Sequence, residues 1–148
     1  MDPLSITVAS TSLAALCGKC ILSLTKWVGE VREIDHVIRG FCDEIRALQD
    51  GLQSLRSVTE DKASAISRMV ISSGHNLLWA QINRSVSDAN DVLSRLTYIL
   101  EGFTTGNLRF RVQRQFKMSI QEGEISTLRQ RLLLLTSTLS LPLQMMLM

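Results

Sequence analysis

"IDHVIRGFCDEIRALQDGLQSL", residues 34–55, is the stretch on which the fold turns. Its apolar residues Ile34, Ile38, Phe41, Ile45, Leu48, Leu52 and Leu55 step by four and three, which lines them along one face of an α-helix. A half-buried strand would instead alternate with period two. Asp35 is placed as the N-cap. Asp43, Glu44 and Asp50 fall on the opposite face and read as a solvated surface rather than a general acid–base pair.

The same seam recurs toward the C-terminus. Leu78, Ile82, Val86, Ala89, Leu93, Leu96 and Leu100 predict a third helix over about His75 to Gly102. Leu108, Val112, Phe116, Ile120, Ile125, Leu128, Leu132, Leu135 and Leu139 predict a fourth over about Leu108 to Leu141, with Gly123 as a weak point or bend. Thr59 to Gly74 is expected to carry a short helix over Ala63 to Ile71 before the break at Ser72-Ser73-Gly74. Thr104 to Asn107 reads as a tight connection.

Toward the N-terminus the pattern changes. A first helix is expected from Pro3, capped by Asp2, to Val28 or Gly29, and it is apolar on nearly every side. Leu13, Leu16, Cys20, Leu24 and Trp27 form one stripe; Ile6, Cys17, Ile21 and Val28 form another. Ser10, Ala14 and Gly18 make a small-residue ridge that lets a neighbouring backbone come close. Leu4 to Leu24 has a length of about 21 residues at roughly 1.5 Å each, enough for a hydrocarbon core of about 30 Å. Lys19 costs about 2.5–3.5 kcal/mol at mid-bilayer, while each Leu or Ile returns about 0.3–0.6, so insertion is marginal. Two readings stay open: a permanently buried central helix, or one buried in one state and lipid-bound in another.

The whole chain, 148 residues with 45% apolar, 20% charged and 5% aromatic residues, fits one domain over 1–148. The expected fold is all-α, an antiparallel four-helix bundle with a mostly apolar N-terminal helix. The formal charge of +2 is too small to point to nucleic acid. Its distribution is uneven: residues 30–61 hold four arginines against eight acids, and residues 104–148 hold six basic residues against Glu122 and Glu124. Within the basic end, "RFRVQRQFK" (Arg109 to Lys117) can pair with acidic helix two. Alternatively, Arg109, Arg111, Arg114 and Lys117 can lie on an anionic lipid surface.

Three cysteines, Cys17, Cys20 and Cys42, cannot pair completely, and the first ten residues lack the basic stretch of a signal peptide; a reducing cytosol is expected. Cys17 and Cys20 have the spacing of a redox pair but lie mid-helix without a βαβ context, so they read as small core residues. His36 and His75 lack the spacing for a zinc site, and no phosphate-binding glycine loop is present. No enzyme activity, cofactor or metal is expected.

The opening "MDPLSITVAS", the closing "STLSLPLQM" (Ser137 to Met145) and the central "IRALQDGLQSL" (Ile45 to Leu55) resemble the fungal HeLo-like N-terminal domains of STAND receptors of the NLR type. Pro142 and the Cys-Gly-Lys-Cys run depart from that pattern, and Pro142 is expected to end the last helix early. The resemblance implies a four-helix bundle related to those of necroptotic pseudokinases, acting in programmed cell death and heterokaryon incompatibility within fungal innate immunity. It implies self-association on activation and movement from the cytoplasm to the plasma membrane, where the first helix permeabilises lipid. Carried onto this chain, the membrane residues would be Leu4, Ile6, Val8, Leu13, Leu16, Ile21 and Leu24, with Trp27 as interfacial anchor. A non-lytic module that couples a receptor to other helical-bundle domains is the alternative. The nucleotide-binding and repeat regions of such receptors are missing, so a receptor fragment or a stand-alone relative is expected.

Overall fold

Aliphatic seams at helical spacing, with no clusters of β-branched residues to favour strands, leave helix as the only way to bury this chain's apolar surface. A computed structural model of the chain describes residues 3–61, 76–104 and 109–147, and among them there is no strand. The fold is all-α. Five α-helices are described: α1 (Pro3–Thr25), α2 (Asp35–Asp61), α3 (Asn76–Thr104), α4 (Arg109–Glu122) and α5 (Glu124–Leu147). A single 3₁₀ turn, Arg32–Ile34, precedes α2. The short helix expected over 63–71, the break at 72–74, the connection from Thr105 to Asn107, and Leu108 all lie outside the described residues.

Ile34 in the 3₁₀ turn and the six seam residues of α2 from Ile38 to Leu55 are buried, as are those of α3 from Ile82 to Leu100 and those of α4 and α5 from Phe116 to Leu139. Val112 packs at the edge of the same core. α1 lies against α2 and α3, α5 against α2 and α3, and α4 chiefly against α5. Thr7 Oγ1 meets Thr59 Oγ1 at 2.6 Å, and Gln49 donates to the Ala14 carbonyl at 3.0 Å. Thr59 Oγ1 also lies within hydrogen-bond distance of the Leu55 carbonyl, at 3.0 Å.

Several boundaries differ from the sequence expectation. α1 stops at Thr25, before Val28, because the chain tightens: the Trp27 and Val28 amides reach the Leu24 and Thr25 carbonyls, and Gly29 takes φ +88°. Only glycine holds that backbone without strain. Asp35 is not an N-cap. It has helical dihedrals, and its carboxylate accepts the Gly29 amide at 2.9 Å, closing the turn rather than starting the helix.

The last segment is two helices, not one bent helix. At Gly123 the amide is shared between the Met118 and Ser119 carbonyls, both at 3.1 Å, and Ser119 Oγ accepts the Ile125 amide. A side chain at 123 would put its Cβ 2.8 Å from Ser119 Cα, closer than atoms can sit. α5 runs through Pro142 to Leu147, so the expected early stop does not occur. Proline removes one backbone donor there, the one that would serve the Thr138 carbonyl.

Candidate membrane-interaction surface

α1 is long and apolar enough to cross a membrane over Ser5–Thr25, and 28% of that span is buried. It is therefore a helix at the edge of the core. Ile6, Ser10, Leu13, Cys17, Cys20 and Leu24 face inward. Ser5, Val8, Ser12, Ala15, Lys19 and Leu22, spaced by three and four, face outward together with Thr11. Val8 and Leu22 are each 66% exposed. A single exposed aliphatic residue is ordinary. Here a whole outward stripe contains one charge.

The residues expected to act on lipid thus divide. Ile6, Leu13 and Leu24 are core residues, and Trp27 is buried just beyond the helix end. Leu16 and Ile21 are half-buried against the core. Val8 alone of the set is openly exposed, and the Leu4 side chain lies outside the described residues. Ala15 and Leu22 complete the exposed stripe; the uniform apolarity of α1 hid which face would point outward. Of the small-residue ridge, Ala14 and Gly18 seat α2, with Gln49 lying over Ala14 and a Cβ at Gly18 reaching to within 3.8 Å of it, and Ser10 is buried.

α4 presents the basic stretch. Lys117 pairs with Glu33, and Gln113 donates to Glu30 at 3.3 Å, so the acidic partners sit just before α2 rather than on it. Arg111 and Arg114 are exposed and have no ion-pair partner among the described residues. The Arg109 side chain lies outside the described residues. Glu44, read from sequence as a solvated carboxylate, is half-buried and accepts two bonds from Arg129, at 2.6 and 2.7 Å. That bond raises the Arg129 pKa. The pair binds α5 to α2, and Arg95 of α3 makes the equivalent tie to Glu124 of α5, at 2.5 and 3.1 Å. These pairs join residues some 29 to 85 positions apart, so no local spacing could announce them.

Cys17, Cys20 and Cys42 are free thiols in the core. Burial pushes Cys17 up to about 12, and the neighbouring Cys20 adds to the shift. Burial also raises Cys20, opposed by its contact with Thr97 at 3.3 Å. A nucleophilic or redox cysteine needs its thiolate near neutral pH, and this environment suppresses it. No group of His, Cys, Asp and Glu suited to a metal gathers among the described residues. A groove of about 420 Å³ between α3 and α5 holds Arg84 and Arg131 beside Asp88, a mixed and open surface. Compared with family models, curated proteins and solved structures, the chain matches none.

Proposed function

We propose that this chain is a membrane-targeting, self-associating effector domain whose N-terminal helix leaves the fold to permeabilise a bilayer. The observation that carries the reading is the outward stripe of α1: a span-length helix that keeps one apolar face in the core and a second, nearly uncharged face in water. In this reading α4 and α5 count as one broken segment of an antiparallel four-helix bundle. The Thr7–Thr59 and Ala14–Gln49 contacts support opposite directions for α1 and α2. The domain would act without catalysis, as the likeness of its termini to HeLo-like cell-death domains implies, moving from the cytoplasm to the plasma membrane. Arg111 and Arg114, without an ion-pair partner among the described residues, supply cations for an anionic surface.

A second reading, a non-lytic module that docks other helical bundles, draws on exposed Leu133, Leu134 and Leu141 of α5. Dye release from anionic liposomes separates the two. Release by folded protein supports the first; an oligomer that neither binds nor opens liposomes leaves the second. The variant used must change the outer face of α1, because a charge at buried Leu13 would unfold the domain whatever its function.

A further inference from the structure

If α1 leaves the bundle, something must hold its exit closed at rest, and the geometry identifies what does. The chain leaves α1 through residues 26–31, a turn whose side chains meet α4. Trp27 stacks on Phe116 of α4 with ring centroids 4.6 Å apart and planes at 11°. Phe103, near the end of α3, meets the same Phe116 edge-on at 5.7 Å and 83°. Around this aromatic cluster Glu30 accepts from Gln113, and Glu33 pairs with Lys117. The Trp27 Nε1–H is buried with no acceptor among the described residues, where its ring is held by packing and stacking.

The other end of α4 is built to turn. Gly123 divides α4 from α5, its amide is shared between two carbonyls, and the first amides of α5 find partners at Ser119 Oγ and the Gly123 carbonyl. α5 thus closes its first turn on the Gly123 carbonyl, while Ser119 Oγ of α4 caps the Ile125 amide, the contact that a swing at Gly123 exchanges for water. α5 is also tied elsewhere, by Arg129 to α2 and by Glu124 to α3.

We propose that α4 is a hinged latch on the exit of α1: Phe116 on Trp27, with Gln113 and Lys117 on Glu30 and Glu33, holds the helix end closed, and Gly123 lets the latch swing while α5 stays in place. This regulation rests on the reading of α1 as a helix that departs, yet it is measurable without any membrane.

Amide hydrogen exchange on the full chain tests it. Phe116→Leu keeps an apolar side chain but removes the ring stack; Lys117→Glu reverses the outer contact at a partly exposed position. Exchange over residues 20–28 is expected to quicken about fivefold or more in Phe116→Leu, with the α2 and α3 seams within about twofold of the parent. Lys117→Glu is expected to quicken the same residues about threefold, and Glu33→Lys with Lys117→Glu to restore them. Equal loss of protection in α1, α2 and α3 would make α4 an ordinary part of the core and overturn the latch. Unchanged exchange at residues 20–28 in both variants would overturn it as well. Liposome leakage is read separately: faster α1 exchange without leakage leaves the latch standing and removes the membrane reading, whereas leakage from variants with unaltered α1 exchange does the reverse.

Discussion

Ala15→Asp separates what α1 does in the fold from what the proposed function has it do in lipid. Ala15 is the midpoint of the Ser5–Thr25 span and lies on its exposed face. In the folded protein the new carboxylate points into water. Its weaker helix propensity costs about 0.6 kcal/mol, and pairing with Lys19 one turn later returns about 0.3–0.5 kcal/mol. The net change in stability is within about 0.5 kcal/mol. In a bilayer the same position is at the hydrocarbon centre, where Asp costs about 2.5–3.5 kcal/mol, a roughly 70- to 400-fold smaller inserted population. Even with half of that recovered by pairing with Lys19, about tenfold remains.

The assay is the initial rate of dye release from anionic liposomes at equal protein concentration, with urea unfolding run in parallel. Asn90→Asp, an equal charge change at an exposed position on α3, is the control. The expected result is release slowed at least about tenfold in Ala15→Asp, unchanged in Asn90→Asp, and both unfolding curves near that of the parent. Release at the parental rate by Ala15→Asp would show that α1 does not enter the bilayer. A stability loss of several kcal/mol would show that its outer face is not free in the resting protein.

Leu24→Ala and Leu22→Ala test the assignment of faces: the first is expected to cost about 2–5 kcal/mol in urea unfolding and the second less than about 0.5, and equal costs would refute it. Stability is expected to fall in alkaline solution. The folded pKa of Cys17 is raised above its unfolded value, so its contribution is intact below about pH 9 and is lost as pH rises toward 12. By pH 10 this thiol alone removes on the order of 1 kcal/mol, and Cys17→Ala should flatten the decline measured by denaturation at pH 8 and 10. Gly123→Ala is expected to lower the melting temperature, at a cost of about 1–3 kcal/mol, because the added Cβ meets the Ser119 backbone at 2.8 Å. A higher melting temperature would mean that the break relaxes without strain and alanine's helix propensity prevails.

The parts of this fold that were legible in the sequence are those where one face of a helix is charged. Ile34 to Leu55 alternates seam and charge so regularly that its buried residues, Cys42 excepted, could be named one by one. α1 offered no such contrast: Leu13 and Leu22 look alike in a run that is apolar all round, and only the packing of α2 and α3 distinguishes them. Gly123 was readable as a weak point. Its consequence, two separate helices, depended on Ser119 supplying the amide partner that α5 needs. Glu33 with Lys117, and Glu44 with Arg129, are meetings across the fold, set by how segments pack rather than by anything near them in the chain.

The comparison of α1 with α2 bears most directly on function. Both helices bury one stripe in the same core, so the fold constrains one face of each. On α2 the free face carries Arg39, Asp43, Arg46 and Asp50, as expected for a surface that only ever meets water. On α1 the free face carries Val8, Ser12, Ala15 and Leu22, with Lys19 as its one charge. Packing does not ask for that composition, and solubility opposes it. Under the proposed function, lipid would bury Val8, Ala15 and Leu22 of the outer face as well, leaving Ser5, Thr11, Ser12 and Lys19 as its polar members, on a helix of span length. Charging the outer face of α1 one position at a time tests the argument beyond Ala15: Ser12→Asp should reduce leakage with little loss of stability, and the effect should weaken from Ala15 toward Val8 and Leu22 as the helix ends approach the interface.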